Sequence, residues 1–149
     1  MVEARCIEII RHTKIKIEDH GRKAYFRNKE RLTYRRIRVD GCVASDGRNA
    51  DYVLEKEKAG LIIELKGRGA ERGATQVIAT ARLWMKLNRC EQLCGLIVAR
   101  MSPAANSTMQ SRRLEFARLT KGYLHLVSGE REFDFEQVFK VRGIAKERK

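Results

Sequence analysis

Two short apolar runs on either side of a charged turn form the clearest pattern in the chain. Tyr52–Leu54 and Leu61–Leu65 flank Glu55–Gly60, a charged segment that ends in glycine. Apolar runs separated by such a turn are typical of an antiparallel β-hairpin. In the second run Glu64 and Lys66 are two residues apart, so they point to the same face of the strand. The pattern therefore predicts a hairpin that carries a carboxylate and an amine on one face.

The hydrophobic periodicity on either side of the hairpin predicts further strands and helices. We expect a strand with one basic face, a helix, a buried strand, a second helix and a last strand. These segments are Tyr34–Val43, Ala74–Asn88, Leu96–Ala99, Thr108–Leu119 and Tyr123–Val127. The resulting order is an N-terminal element, three sequential strands, a helix, a strand, a helix and a strand. Such an order is typical of an α/β domain in which helices flank a sheet.

The length predicts one domain, because 149 residues with 43% hydrophobic side chains can bury a single core. We place the core over about residues 34–127 and a short tail over 140–149. Residues 1–33 form a basic N-terminal element whose first half could be a helix or a strand pair. Its second half carries Tyr25 and Phe26 among many basic residues. That stretch suits phosphate contact with base stacking, or a solvated helix with the aromatic rings packed inward.

The net charge of +13, from 32 Lys and Arg against 19 acidic residues, predicts a surface that attracts polyanions. The alternative is a surplus of charge that serves solubility. No apolar run approaches the ~18 residues of a membrane span, so no membrane partner is expected. The N-terminus lacks the continuous apolar region of a signal peptide, which predicts an intracellular, cytoplasmic protein. The candidate nucleic-acid contacts are Arg36, Arg38, Arg48, Arg68 and Arg72.

The cysteines and histidines show no ligand pattern. In a cytosolic chain the four cysteines, Cys6, Cys42, Cys90 and Cys94, are expected to be free thiols. The last two are four residues apart but have no histidine nearby, so structural zinc is not predicted. His125 alternates with leucines and is expected at an exposed strand position.

The candidate chemistry lies on the hairpin. Asp51 opens the first strand, where pairing would bring it near Glu64. Charged groups on an otherwise apolar strand are costly to bury, so two carboxylates beside Lys66 predict a cation site with an amine next to it. Mg²⁺ takes oxygen ligands, and there it would polarise a phosphate and activate a water. Hydrolysis of a phosphodiester is the reaction that this set predicts.

Asp51 followed by Glu64-Leu65-Lys66 resembles the PD-(D/E)xK, or restriction-endonuclease-like, nuclease superfamily. The resemblance implies that Asp51 and Glu64 are metal ligands for Mg²⁺, with Mn²⁺ as a substitute, and that Lys66 is the catalytic lysine. Position 50 is Ala50 where the motif has proline. Gln76 matches the glutamine that many members place on the following helix. The resemblance also implies a three-layer α/β/α sandwich with a central mixed β-sheet.

Two further carboxylates are secondary candidates. Many members of the superfamily carry another glutamate before the core strands, and Glu30 or Glu18 could fill that role. Asp40, at the end of the basic strand, could approach the metal site or could cap the turn before Gly41.

The expected function is a metal-dependent nuclease, with DNA favoured over RNA and an endonuclease favoured over an exonuclease. A stand-alone core of this kind often dimerises to cut both strands, so a homodimer is possible. The alternatives are a non-catalytic nucleic-acid-binding or accessory protein on the same scaffold, and a structure-specific resolvase of DNA junctions.

Overall fold

The computed structural model describes residues 1–67, 69–99, 107–129 and 131–141. In these ranges the chain forms two β-sheets and three α-helices. The strands are β1 (Ile7–Ile10), β2 (Lys14–Asp19), β3 (Arg22–Arg27), β4 (Tyr34–Arg38), β5 (Tyr52–Lys56), β6 (Ala59–Lys66), β7 (Gln92–Ala99), β8 (Leu124–Ser128) and β9 (Glu132–Phe133). The helices are α1 (Ala70–Leu87), α2 (Ser107–Thr120) and α3 (Phe135–Lys140).

The larger sheet has six strands in the order β1-β4-β5-β6-β7-β8. Its first four strands are antiparallel, whereas β6, β7 and β8 are parallel, so the sheet is mixed. The smaller sheet has the order β2-β3-β9. The mixed α/β fold with a central mixed sheet is therefore confirmed. The predicted order of three sequential strands, helix, strand, helix and strand matches β4, β5, β6, α1, β7, α2 and β8.

The two faces of the larger sheet are covered by different elements. Helices α1 and α2 cover one face, where Val77 and Trp84 pack in the same cluster as Ile62. The smaller sheet and α3 cover the other face, where Phe26 of β3 and Phe135 of α3 are buried. Both strand faces of the hairpin are therefore buried, as its continuous apolar runs require. None of the helices in the described ranges is long and apolar enough to cross a membrane.

The N-terminal residues form strands, so the helical alternative for the basic stretch around Tyr25 and Phe26 is wrong. β2 and β3 form a hairpin in which Asp19 pairs with Arg22 at the turn. Phe26 is fully buried and Tyr25 is half-buried. The physical reason is an alternation of period two along β2, where exposed lysines alternate with buried isoleucines.

The expectation of free thiols is wrong for two of the four cysteines. Cys6 and Cys42 form a disulfide, with Cα atoms 5.7 Å apart, whereas Cys90 and Cys94 are free. The pairing follows from the sheet. β1 lies against β4 with Ile7 opposite Ile37, which brings the residue before β1 close to the turn that follows β4.

His125 is buried, so its predicted exposure is also wrong. Only 1% of the residue is exposed, and its Nε2 lies 2.7 Å from the carbonyl oxygen of Val138 in α3. Alternation alone did not reveal this, because α3 covers the face of β8 on which the imidazole lies.

Candidate active site

The hairpin of β5 and β6 brings the two predicted carboxylates together. Its register pairs Tyr52 with Ile63, which places Asp51 opposite Glu64 at the end of the pair. The backbone N–H of Asp51 donates a hydrogen bond to Oε1 of Glu64 at 3.1 Å. In return, the backbone N–H of Leu65 donates to Oδ2 of Asp51 at 2.9 Å. One oxygen of each carboxylate thus accepts a hydrogen bond from the backbone of the other strand. The second oxygen of each takes no part in this reciprocal pair.

Lys66 lies beside the carboxylates on the same face of β6. Its Nζ is 3.3 Å from Oε2 of Glu64, and its side chain is 19% exposed against 3% for Glu64. The amine therefore stands between the buried carboxylate and solvent. The predicted Asp, Glu and Lys set is brought together by the structure.

Burial makes the negative charges of the two carboxylates unfavourable. The pKa of Asp51 is raised to about 6, chiefly by loss of solvation and also by the charges of Asp19 and Asp40, against the lowering effect of the hydrogen bond from Leu65. Loss of solvation, followed by the charge of Asp51, raises the pKa of Glu64 to about 8. A cation between these groups would remove this penalty, because opposite charge favours the ionised form.

Helix α1 packs closely on the site through a glycine. A Cβ atom added at Gly73 would lie 3.3 Å from Cγ of Lys66 and 3.4 Å from Cγ of Glu64. A side chain there would press on both residues. Gln76 lies three residues further along α1 and so on the same side of the helix.

Gln76 and Thr80 hold the loop that leads into Asp51. Nε2 of Gln76 approaches the carbonyl oxygens of Gly47 and Asn49 at 3.5 and 3.4 Å. The hydroxyl of Thr80 accepts a hydrogen bond from the backbone N–H of Ala50 at 2.8 Å. Oε1 of Gln76 is buried and has no hydrogen-bond partner in the described part of the chain. Gln76 is therefore placed close to the loop, with one acceptor left for a ligand or water.

Two aspartates outside the motif add negative charge to the site. Asp40, the secondary candidate, is half-buried and interacts electrostatically with Asp51. Asp19, at the end of β2, does the same, and sequence reasoning missed it. The sequence Asp19-His20-Gly21 indicates a turn. Only the pairing of β2 with β3 shows that this turn lies beside the site. Glu30 is exposed in the turn beyond the opposite end of β3, away from Asp19.

A cleft of about 360 Å³ opens beside Lys66. It lies at the carboxyl ends of β6, β7 and β8, the edge at which open α/β sheets bind their ligands. One wall is the turn between β2 and β3, and the other is the ends of the parallel strands. Its lining residues are His20, Gly21, Arg22, Lys23, Lys66, Val98, Ala99 and Gly129.

The predicted nucleic-acid contacts occupy different surroundings. Arg38 is exposed near the site, with Nη2 3.8 Å from Oδ1 of Asp19. Arg48 and Arg72 are exposed, the first in the loop before Asp51 and the second in the first turn of α1. Arg36 instead pairs with Glu8 of its own sheet and donates a hydrogen bond to the carbonyl oxygen of Lys16 in the smaller sheet. Arg68 lies outside the described residues.

Across the described ranges, no group of three or more His, Cys, Asp or Glu side chains could hold a metal ion. Comparisons with protein-family models, curated proteins and solved structures gave no match. The carboxylate pair with its lysine is therefore interpreted from its own geometry and chemistry.

Proposed function

We propose that this protein is a metal-dependent nuclease that hydrolyses phosphodiester bonds of nucleic acid, most simply DNA, at Asp51, Glu64 and Lys66. The observation that supports it is the reciprocal pair of buried carboxylates with an amine 3.3 Å from one of them, at the edge of a basic cleft. Like charges buried together destabilise a fold, so a ligand that neutralises them gives their burial a function.

The carboxylate oxygens fit Mg²⁺ rather than a metal that needs all of its ligands from the protein. The carboxylates of Asp51 and Glu64 each have one oxygen outside their reciprocal pair, and oxygen is the donor that Mg²⁺ prefers. Two carboxylates are enough, because Mg²⁺ usually keeps several waters and takes a substrate phosphate as a further ligand. When bound, the ion would polarise the phosphate and lower the pKa of an attacking water.

The side chains of the chain itself supply position and charge. Asp51 and Glu64 are the metal ligands, held in place by the backbone N–H groups of the opposing strand. Lys66 donates hydrogen bonds to the attacking water or to the negative charge that develops on the phosphate. Gln76, with a buried acceptor, orients a water or holds the loop before Asp51. Asp40 adds negative charge near the ligands.

We also propose that the core is a restriction-endonuclease-like variant of the three-layer α/β/α sandwich. Support comes from the sequence of three antiparallel strands, α1, a parallel strand, α2 and another parallel strand. Here the third layer would consist of the smaller sheet together with α3.

The first test is incubation of the purified protein with plasmid, linear duplex, single-stranded DNA and RNA. Each substrate is tested with Mg²⁺, with Mn²⁺ and with EDTA. Lys66→Ala is the variant, and Lys86→Ala, an exposed lysine at the end of α1, is its matched control. We expect cutting that needs metal, is lost in Lys66→Ala and persists in Lys86→Ala. Direct linearisation of plasmid, rather than nicking, would indicate cutting of both strands by a dimer.

The binding measurements decide between the two functional classes. We expect Lys66→Ala and Glu64→Ala to bind nucleic acid nearly as well as the unmodified protein. Binding without cutting in either metal would contradict the nuclease and favour the accessory protein. Loss of binding in a folded Lys66→Ala variant would show that Lys66 is a contact residue.

A further inference from the structure

The cleft beside Lys66 presents only basic side chains among its charged lining residues. These are Arg22 and Lys23 at the start of β3 and Lys66 at the end of β6, with His20 beside them in the β2–β3 turn. Apart from the lysine, none belongs to the candidate catalytic set or to the arginines that the sequence suggested. A small basic cavity next to a reactive centre suits an anion.

Arg22 is seated against the backbone that follows Lys66. A Cβ atom added at Gly67 would clash with Nη2 of Arg22 and would lie 3.1 Å from its Cζ. The absence of a side chain at position 67 thus makes room for the guanidinium group. The backbone of Gly67 is not in the left-handed region, so conformational freedom does not explain the glycine.

The basic side chains at the two ends of the β2–β3 hairpin differ in whether they form ion pairs. Away from the cleft, Lys14 and Arg27 contact Glu132, and Lys16 contacts Glu18. At the cleft, His20 lies 2.7 Å from a carboxylate oxygen of Asp19, whereas Arg22 and Lys23 form no ion pair in the described part of the chain. Their charge is therefore available to an external anion.

We infer that Arg22 and Lys23 form a phosphate-binding subsite that holds the nucleic-acid backbone beside the carboxylate pair. The inference rests on the proposed function and adds the substrate contacts to it. Guanidinium groups bind phosphate oxygens in a bidentate manner, which gives Arg22 the larger share of the binding. The β2–β3 hairpin is then an arm that positions the substrate, while Asp51, Glu64 and Lys66 act on it.

The test measures equilibrium binding of fluorescently labelled duplex and single-stranded DNA in EDTA over a series of salt concentrations. Arg22→Gln and Lys23→Gln are compared with Arg82→Gln and Lys86→Gln on the exposed side of α1, where Arg82 is paired with Glu115 and Lys86 is exposed. We expect Arg22→Gln to weaken binding about tenfold and to reduce the slope of log K against log salt by about 1. The two α1 variants should retain the slope of the unmodified protein.

Gly67→Ala tests the seat of Arg22 without changing any charge. The added methyl group displaces a flexible guanidinium, so the fold should tolerate it while binding weakens severalfold. In the Arg22→Gln background the same change should cause no additional loss, because the group that it displaces is gone. Thermal unfolding of each variant confirms that it is folded.

The outcomes separate this inference from the nuclease proposal. If the protein cuts DNA with metal but Arg22→Gln and Lys23→Gln bind like their α1 controls, the subsite is wrong and the nuclease stands. If both variants lose affinity but no metal supports cutting, the subsite stands and the nuclease is wrong. If the unmodified protein binds neither DNA, the subsite is wrong as well.

Discussion

Glu64 and Asp51 make the stability of this protein depend on pH in an unusual direction. Burial raises the pKa of Glu64 to about 8 and that of Asp51 to about 6, both above their ordinary values of 4.5 and 3.8. Between the ordinary pKa and the raised pKa of each group, the folded state therefore binds more protons than the unfolded state. Their contribution to stability is present below about pH 4 and is lost as the pH rises through 6 and 8.

We predict that, in EDTA, the free energy of unfolding falls as the pH is raised from about 4 to 8. Each unit of pKa shift corresponds to about 1.4 kcal/mol. Glu64→Gln should reduce the fall by an amount on the order of 3 kcal/mol, because glutamine keeps an acceptor for the N–H of Asp51 but carries no charge. Denaturant unfolding at a series of pH values measures this. Parallel pH curves for the two proteins would contradict the raised pKa of Glu64.

Helix α1 is fixed at its other end by a buried carboxylate. Glu55 of β5 is fully buried and accepts hydrogen bonds from Arg35, Trp84 and Arg89 at 2.7–2.9 Å. Burial alone would raise the pKa of Glu55, but these hydrogen bonds outweigh it and lower the pKa. The end of α1 is thereby tied to β4 and β5, while its beginning packs on the site through Gly73.

We predict that Glu55→Gln lowers the free energy of unfolding by about 3–5 kcal/mol, because it removes the charge of a fully buried carboxylate and leaves the partly buried guanidinium groups of Arg35 and Arg89 without their counter-charge. Glu115→Gln is the control. Glu115 forms ion pairs with Arg82 and Arg112 at the surface of α1 and α2, where such pairs contribute at most about 1 kcal/mol. Denaturant midpoints for both variants measure the difference. Equal effects would show that the Glu55 network is not a main anchor of α1.

The parts of the molecule that the sequence predicted are those formed by local pairing. The β5–β6 hairpin, its two-residue spacing of Glu64 and Lys66, and the helix that carries Gln76 follow from alternation and period within one segment. Asp51 also belongs to this set, since a hairpin places the start of one strand opposite the end of the other. These contacts span few residues, so a periodic pattern contains most of the information.

The missed parts depend on contacts between distant segments. The smaller sheet is completed by β9, where Tyr25 pairs with Glu132 from the other end of the chain. Asp19 and Arg22 reach the site only because that sheet packs over the larger one. The alternating isoleucines of β2 were a signal for a strand, but the sequence left a helix and a strand pair both open for this segment. Local patterns predicted the candidate catalytic residues and marked the basic stretch around Tyr25 for phosphate contact, but they did not place Arg22 beside the site.

The disulfide ties the N-terminal strands to the rest of the molecule. Cys6 precedes β1 and Cys42 follows β4, with a sequence separation of 36. A covalent loop of that length restricts the unfolded chain and is worth about 3–4 kcal/mol in the chain-entropy treatment. β1 is an edge strand that pairs only with β4 among the described strands, and the disulfide adds a covalent link beside that pairing.

We predict that reduction lowers the free energy of unfolding by about 2–4 kcal/mol. The proposed nuclease activity should persist in the reduced protein, because β5 and β6 hold Asp51, Glu64 and Lys66 without the disulfide. Denaturant unfolding with and without reductant, with thiol counting to confirm reduction, measures the first effect. The double variant Cys6→Ser/Cys42→Ser is the control. Its denaturant midpoint should match that of the reduced protein and should not change when reductant is added. A reduced protein as stable as the oxidised one would show that sheet pairing alone secures the N-terminal strands.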